Sequence, residues 1–141
     1  MNGLDGASAP AGEATVLLVT LFDDERAIYS TYLRSCGFEV LTPDSPAHAL
    51  AIAVEALPDV VVTRILQPGQ SMNGLELLRR LKQHPLCSHI PVIIITSLMQ
   101  PELRVEARES GSDGYLLLPT MPDALVAEIR RVVARATRSI A

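Results

Sequence analysis

Residues 58–78, PDVVVTRILQPGQSMNGLELL, decide the fold of this chain. They begin with a β-branched run, pass through a Pro-Gly loop and end in a segment whose leucines recur at helical spacing. Asn73 followed three residues later by Glu76 is typical of a capped helix start. The stretch therefore predicts a buried strand, a tight loop and a helix. The inner face of that helix carries Leu75, Leu78 and Leu81.

The same order of strand and helix signals is repeated along the rest of the chain. Nearly all-apolar strands that alternate with helices indicate a parallel sheet covered on both faces. With right-handed crossovers, the predicted fold class is a doubly wound α/β domain. The strands are predicted at residues 15–19, 38–42, 59–65, 91–96 and 114–118. The helices are predicted up to about Gly37, after Ser45-Pro46, after Asn73, over about 101–110, and after Thr120 with Asp123.

Helical spacing also predicts which side chains of three other helices are buried. The predicted apolar faces are Ile28, Tyr32 and Cys36 in the first helix, Ala47, Leu50, Ala51 and Val54 in the second, and Leu125, Ile129, Val132, Val133 and Ala136 in the last.

Composition favours a single globular domain. The 141 residues are 48% hydrophobic with a mean hydropathy of +0.26, which is typical of a chain that buries a core. A net charge of −4 and only 4% aromatic residues argue against non-specific nucleic-acid binding. No apolar run approaches the roughly 18 residues of a membrane span, and no signal peptide is recognisable, so we expect a cytoplasmic protein. Cys36 and Cys87 lack CxxC spacing, which predicts reduced thiols and no zinc site.

The Gly, Ala, Ser and Pro content of residues 1–13 predicts a flexible tail. Residues 14–138 then form the expected domain, with no separate output domain.

Several ordered segments resemble the receiver domain of bacterial response regulators, the CheY-like family. They are VLLV at 16–19, YLRSCGFEV at 32–40, PDVVV followed by PG and NGLELLRRLK, IPVIIITS at 90–97, and ESGSDGYLLLP at 109–119. The resemblance covers about residues 14–137. It implies the flavodoxin-like (βα)5 receiver fold, with strand order 2-1-3-4-5, and a cis bond between Leu118 and Pro119.

The chemistry of that family needs five groups at the strand ends. Two acids hold Mg²⁺, an aspartate accepts the phosphoryl group, and a hydroxyl and a lysine contact the phosphate. In a gapless comparison, only the hydroxyl is retained. The positions that match the acidic pair, the acceptor, the hydroxyl and the lysine are Thr20 and Leu21, Arg64, Thr96, and Leu118.

A second register would assign the acidic pair to Asp23 and Asp24. It would remove two residues from the first helix and rotate its apolar face by about 200°. We therefore adopt the gapless register, in which these aspartates lie at the helix start, where carboxylates favour the helix dipole. Arg64 then either forms a salt bridge with Asp23 or Asp24 or extends to water.

The resemblance and its departures predict a degenerate receiver, or pseudo-receiver. A guanidinium has no lone pair for attack on phosphorus, so phosphorylation is not expected. Its positive charge would repel Mg²⁺, so no metal is expected either. We also expect no cofactor and no enzyme activity. The expected role is a protein-protein interaction module in a two-component phosphorelay. Two alternatives remain: an anion or small-ligand site formed by Arg64 and Thr96, and a regulator phosphorylated in an atypical way.

Tyr115 matches the family's switch aromatic on the fifth strand. It is either a packing residue or part of the face of the fourth helix, fifth strand and fifth helix, through which receivers dimerise. The expected partners are a histidine kinase or another signalling protein, or a second copy through that face. The positive charges of the arginines in the last helix favour the helix dipole, with contact to an acidic partner or to DNA as the alternative.

Overall fold

The computed structural model describes residues 13–140, so the predicted tail lies outside the described residues except for Glu13. Within these residues, five strands and five helices alternate. The strands are β1 (Thr15–Val19), β2 (Glu39–Leu41), β3 (Val60–Arg64), β4 (Val92–Thr96) and β5 (Gly114–Leu117). The helices are α1 (Asp23–Ser35), α2 (Pro46–Ala56), α3 (Gly74–Gln83), α4 (Pro101–Glu109) and α5 (Pro122–Ile140).

All neighbouring strands pair in parallel, in the order β2-β1-β3-β4-β5. The predicted fold class and strand order are therefore confirmed. The bond between Leu118 and Pro119 is cis, as the resemblance implied.

The sheet is covered on both faces, and its central strands β3 and β4 are buried at every position. Leu18 of β1 packs in one core cluster with Leu125 of α5, so α1 and α5 cover that face. Leu17 packs in a second cluster with Leu78 of α3, on the face covered by α2, α3 and α4. Alternation along each strand thus decides which helix layer a side chain meets.

Two predicted helix starts are confirmed at the level of single hydrogen bonds. The Ser45 hydroxyl accepts from the backbone N–H of His48 at 3.0 Å. The Asn73 side chain accepts from the N–H of Glu76 at 2.9 Å. Both bonds satisfy an amide that has no partner inside the helix.

The predicted apolar face of α1 is wrong by one position. Ile28 is 57% exposed and Tyr32 is 37% exposed, whereas Tyr29 and Leu33 are buried. The exposed residues and the buried residues are each spaced by four, so spacing alone does not show which of the two faces of α1 meets the sheet. The buried face of α1 also includes Glu25, one turn before Tyr29.

The predicted face of α2 is correct only in part, since Leu50 and Val54 pack against the core but Ala47 and Ala51 do not. Ala49 and Ala53 are fully buried, while Ala47 and Ala51 are exposed. This helix is apolar nearly all round, so small residues occupy the tight contact with the sheet. The predicted faces of α3 and α5 are correct, since the leucines of α3 and Leu125, Ile129 and Val132 of α5 are buried.

Within residues 13–140, none of the helices combines the length and the hydrophobicity that a bilayer crossing requires.

Candidate functional site

The carboxyl ends of the five strands form one edge of the sheet, where parallel α/β domains place their functional groups. Thr20 directly follows β1, and Arg64 is the last residue of β3. Strand pairing sets Val19 beside Thr63 and Arg64 beside Ile95. Because Val62 belongs to the core on the α1 and α5 side, alternation directs Arg64 to that same side.

Arg64 forms a nearly buried salt bridge with Glu25 of α1. Its Nε donates to Oε2 of Glu25 at 3.0 Å and to Oε1 at 3.3 Å. The side chains are only 10% and 15% exposed, so Arg64 does not extend to water. The bridge ties the end of β3 to the first turn of α1.

The partner of Arg64 differs from the sequence-based expectation. Asp23 and Asp24 lie in the first turn of α1, as predicted, but both are exposed. Asp23 pairs with Arg26, one turn along the same helix. Glu25 is the acid that begins the inward-facing set of α1, and it therefore reaches Arg64.

Two neighbours hold the salt bridge in place. The Thr20 hydroxyl donates to Oε2 of Glu25 at 2.8 Å and accepts from the N–H of Phe22 at 3.2 Å. The guanidinium carbon of Arg64 lies 4.2 Å from the centre of the Phe22 ring, a cation–π distance. The carboxylate and the guanidinium are thus both fixed from the β1–α1 loop.

Gln67, which the sequence did not single out, connects the loop after β3 to β1. Its Nε2 donates to the carbonyl of Val19 at 3.2 Å and to the carbonyl of Arg64 at 3.0 Å. The side chain is buried, and its Oε1 has no partner within the described residues. A polar residue between Leu66 and a Pro-Gly turn is a weak signal that only the fold makes meaningful.

Gly74, the first residue of α3, touches the backbone at the end of β3. Its N–H donates to the carbonyl of Ile65 at 2.9 Å. A Cβ at this position would lie 1.9 Å from the carbonyl oxygen of Arg64, far inside contact distance. The close approach requires glycine.

Thr96 ends β4 but is not brought together with Arg64 in one site. Thr96 is fully buried, and its hydroxyl accepts from the N–H of Leu98 at 3.1 Å. The cavity beside Arg64 is lined by Ser97 and Leu118 and not by Thr96. The N–H of Leu118 donates to the Thr96 carbonyl at 2.8 Å, a structural bond.

Tyr29 lies at the same edge of the sheet, and its pKa responds to burial and to the charge of Glu25. Its hydroxyl donates to the carbonyl of Thr120 at 2.8 Å, which joins α1 to the loop before α5. Burial, followed by the nearby carboxylate of Glu25, raises the pKa of the Tyr29 phenol above its ordinary value.

Tyr115 lies on β5, away from the salt bridge. It is half-buried against the core cluster on the α3 side, and Arg104 stacks 5.0 Å from its ring centre. Its hydroxyl is buried and has no partner within residues 13–140. Burial raises the pKa of this phenol too. Tyr115 therefore combines packing with a stacking contact to the α4 surface.

Residues 16–130 match the model of the response regulator receiver domain family. The phosphate regulon regulatory protein PhoB of Pseudomonas aeruginosa is 34% identical over 86% of this chain and 52% of its own length. The response regulator PleD of Caulobacter vibrioides is 32% identical over 83% of this chain and 25% of its own length. The chain thus spans about half the length of PhoB and a quarter of the length of PleD.

Solved structures of receiver domain proteins are similar to this chain in fold. The chemotaxis response regulator CheY4 of Vibrio cholerae has a TM-score of 0.79 and 29% identity, with 86% of this chain and 99% of that chain covered. A receiver domain protein from Clostridium thermocellum has a TM-score of 0.80 and 27% identity, with 89% and 98% covered. The chain belongs to the response regulator receiver domain family of two-component systems.

Proposed function

We propose that this receiver domain acts as a protein-protein interaction module without aspartyl phosphorylation and without enzyme activity. The observation that carries the proposal is Arg64, a buried guanidinium at the end of β3, where the resemblance locates the phosphoacceptor. A guanidinium donates hydrogen bonds but offers no lone pair for attack on phosphorus. Its bond to Glu25 also engages the nearest carboxylate.

The residues at this edge do not fit a Mg²⁺ ion. Such an ion needs hard, negatively charged oxygen ligands, usually carboxylates. Here the residues in the matching positions are a buried threonine, Leu21 and a cation, and the Glu25 carboxylate is bonded to that cation. Within residues 13–140, no three His, Cys, Asp or Glu side chains are grouped as metal ligands would be. We therefore derive no step that involves the ion.

The salt bridge supports a single conformation of the β1–α1 and β3–α3 junctions. In the family, phosphorylation is the signal that changes this edge. Here the proposed signal is the presence of the domain and the surface it presents, not a change in charge at Arg64. Atypical phosphorylation of Thr63 or Thr96, at the ends of β3 and β4, is disfavoured because both residues are fully buried.

The proposed partner is a protein of a two-component pathway, such as a histidine kinase. The face of α4, β5 and α5 is the candidate interface, either for that partner or for a second copy. It carries the exposed Leu117 and Val105 and the Arg104–Tyr115 stack. Apolar residues beside an arginine and a tyrosine are typical of interface cores.

The test is incubation with acetyl phosphate or phosphoramidate and Mg²⁺, followed by intact-mass measurement. The expected result is no added phosphoryl group. A receiver domain with aspartate at the end of its third strand, in the same reaction, is the positive control. Stoichiometric addition of a phosphoryl group that hydroxylamine removes would refute the proposal.

A further inference from the structure

A cavity opens beside Arg64, between α1 and the loop that joins β5 to α5. Its volume is about 470 Å³, within the range of small-molecule sites. Its aliphatic lining residues are Ile28, Leu118, Pro119 and Pro122, and Ile28 is 57% exposed. Such a wall suits a ligand that is mainly apolar.

The polar end of this cavity is Arg64, whose two terminal nitrogens have no protein acceptor among the described residues. Arg64 is 9% exposed, and among residues 13–140 only its Nε has hydrogen-bond acceptors, both on Glu25. A guanidinium has five N–H donors, so four remain on the two terminal nitrogens. Since Arg64 lines the cavity, a bound molecule with an acceptor oxygen could accept from them.

Charge decides what kind of acceptor fits. Glu25 already neutralises Arg64, so the pair contributes no net charge. An anion would bring an uncompensated negative charge into a poorly solvated site, next to the Glu25 carboxylate. A neutral carbonyl oxygen would satisfy the donors at no such cost. This argument disfavours the phosphate or carboxylate ligand that an unpaired arginine would attract.

We propose that the cavity binds an uncharged, mainly apolar small molecule whose carbonyl oxygen accepts hydrogen bonds from the terminal nitrogens of Arg64. The ring or chain of the ligand covers Ile28 and Leu118. The proposal does not depend on whether the domain is phosphorylated or on its protein partner.

The test uses three one-ring probes that differ in the head group: acetophenone, ethylbenzene and benzoate. Binding to the full chain is followed by NMR through the methyl signals of Ile28 and Leu118. We expect acetophenone to shift these signals and benzoate to bind about tenfold more weakly or not at all. No shift with acetophenone up to its solubility, or tighter binding of benzoate, would overturn the proposal.

Two variants examine the hydrogen bond and the charge separately. Arg64→Met should weaken acetophenone about tenfold, the usual effect of a hydrogen bond to a charged group, and should leave ethylbenzene unchanged. Glu25→Gln should strengthen benzoate, because Arg64 then lacks its counter-charge. Equal losses of acetophenone and ethylbenzene in Arg64→Met, or no gain of benzoate in Glu25→Gln, would contradict the proposal.

Two controls keep the test valid if a buried variant unfolds. Arg79→Met removes a half-exposed arginine of α3 and should change no affinity. Ser97→Phe adds a ring at an exposed residue that lines the cavity, and it should abolish binding of both neutral probes. Retention of acetophenone in Ser97→Phe would show that the probe binds elsewhere and would refute the assignment.

Discussion

Two salt bridges join distant parts of the chain at opposite ends of the sheet. At the carboxyl ends of the strands, Arg64 and Glu25 are 10% and 15% exposed. At the amino ends, Lys82 and Asp113 meet at 3.0 Å with 20% and 39% exposure. Asp113 also accepts from the N–H of Val92, and Lys82 also donates to the carbonyl of Ile90.

The difference is what happens to the charge that remains when one partner is removed. Near the amino ends, water reaches Asp113 and its backbone bond to Val92 persists. At the carboxyl ends, the hydroxyl of Thr20 is the one donor that Glu25 would keep among residues 13–140. A buried ion pair is weak evidence for stability when formed but is costly to break. The two bridges should therefore respond very differently to the same kind of substitution.

The largest expected effect is that of Arg64→Met. It leaves a poorly solvated carboxylate at Glu25, so we expect a loss of about 3–5 kcal/mol in the free energy of unfolding. The matched substitution Lys82→Met should cost about 1 kcal/mol or less, because its partner is partly solvated. Urea unfolding of both variants is the measurement.

The double variant Arg64→Met/Glu25→Gln is the control for that comparison. It removes both charges, and it should recover a large part of the loss seen in Arg64→Met alone. If the two single substitutions at Arg64 and Lys82 cost the same, the distinction between the two ends of the sheet is wrong.

Gly74→Ala gives the next largest effect, because it disturbs the same end through the backbone. The new Cβ would meet the Arg64 carbonyl oxygen at 1.9 Å. Overpacking of this kind costs about 1–3 kcal/mol, and backbone atoms yield less readily than side chains. Gly69→Ala is the matched control, since a Cβ there meets nothing within 4 Å and only the positive φ of 77° is strained.

Thermal unfolding of both glycine variants decides this point. Gly74→Ala should lower the midpoint more than Gly69→Ala. The opposite order would mean that the end of β3 can move away from α3, and that the contact between Gly74 and the Arg64 carbonyl does not require glycine.

The sequence predicts the strands well because β1, β3 and β4 are continuous aliphatic runs with clear ends. The predicted strand at 15–19 matches β1, and Ser45 and Asn73 cap the helices for which they were predicted. Residues 38–42 shorten to β2, Glu39–Leu41, because strand ends depend on the neighbour that completes the ladder.

The site was harder to predict, since it depends on the rotation of one helix. Three consecutive acids begin α1, and successive residues differ by about 100° around a helix axis. The prediction assigned Ile28 and Tyr32 to the buried face, whereas Tyr29 and Leu33 are buried. Glu25 lies four residues before Tyr29 and eight before Leu33, so it shares their face. A buried set that continues into an acid was the available signal for the partner of Arg64.

Tyr29 offers a smaller test of the buried end. Burial and Glu25 raise the pKa of its phenol, so the folded protein holds this proton more tightly than the unfolded chain. Its contribution is fully present below about pH 10, the unfolded value, and is lost as the pH rises through the higher folded pKa. Urea unfolding between pH 9 and pH 11 should show a decline that is shallower in Tyr29→Phe; an identical decline would assign it to other groups.

The smallest expected effect is that of Mg²⁺, which should leave the unfolding midpoint unchanged at millimolar concentration. A ligand stabilises a protein only through its preference for the folded state. The Glu25 carboxylate at this edge is already bonded to Arg64, so it offers Mg²⁺ little attraction. The sharp control is Thr20→Asp/Arg64→Asp, which places two carboxylates beside Glu25 at the strand ends. That variant lacks the counter-charge of Glu25, so it should be less stable without the ion and should gain stability with Mg²⁺.

A rise in the midpoint for the natural chain, abolished by Asp23→Asn, would instead support the register that assigns metal binding to Asp23 and Asp24. Equal insensitivity of both proteins would mean that the edge is closed to ions by its packing, with Phe22 over it, and not by the charge of Arg64.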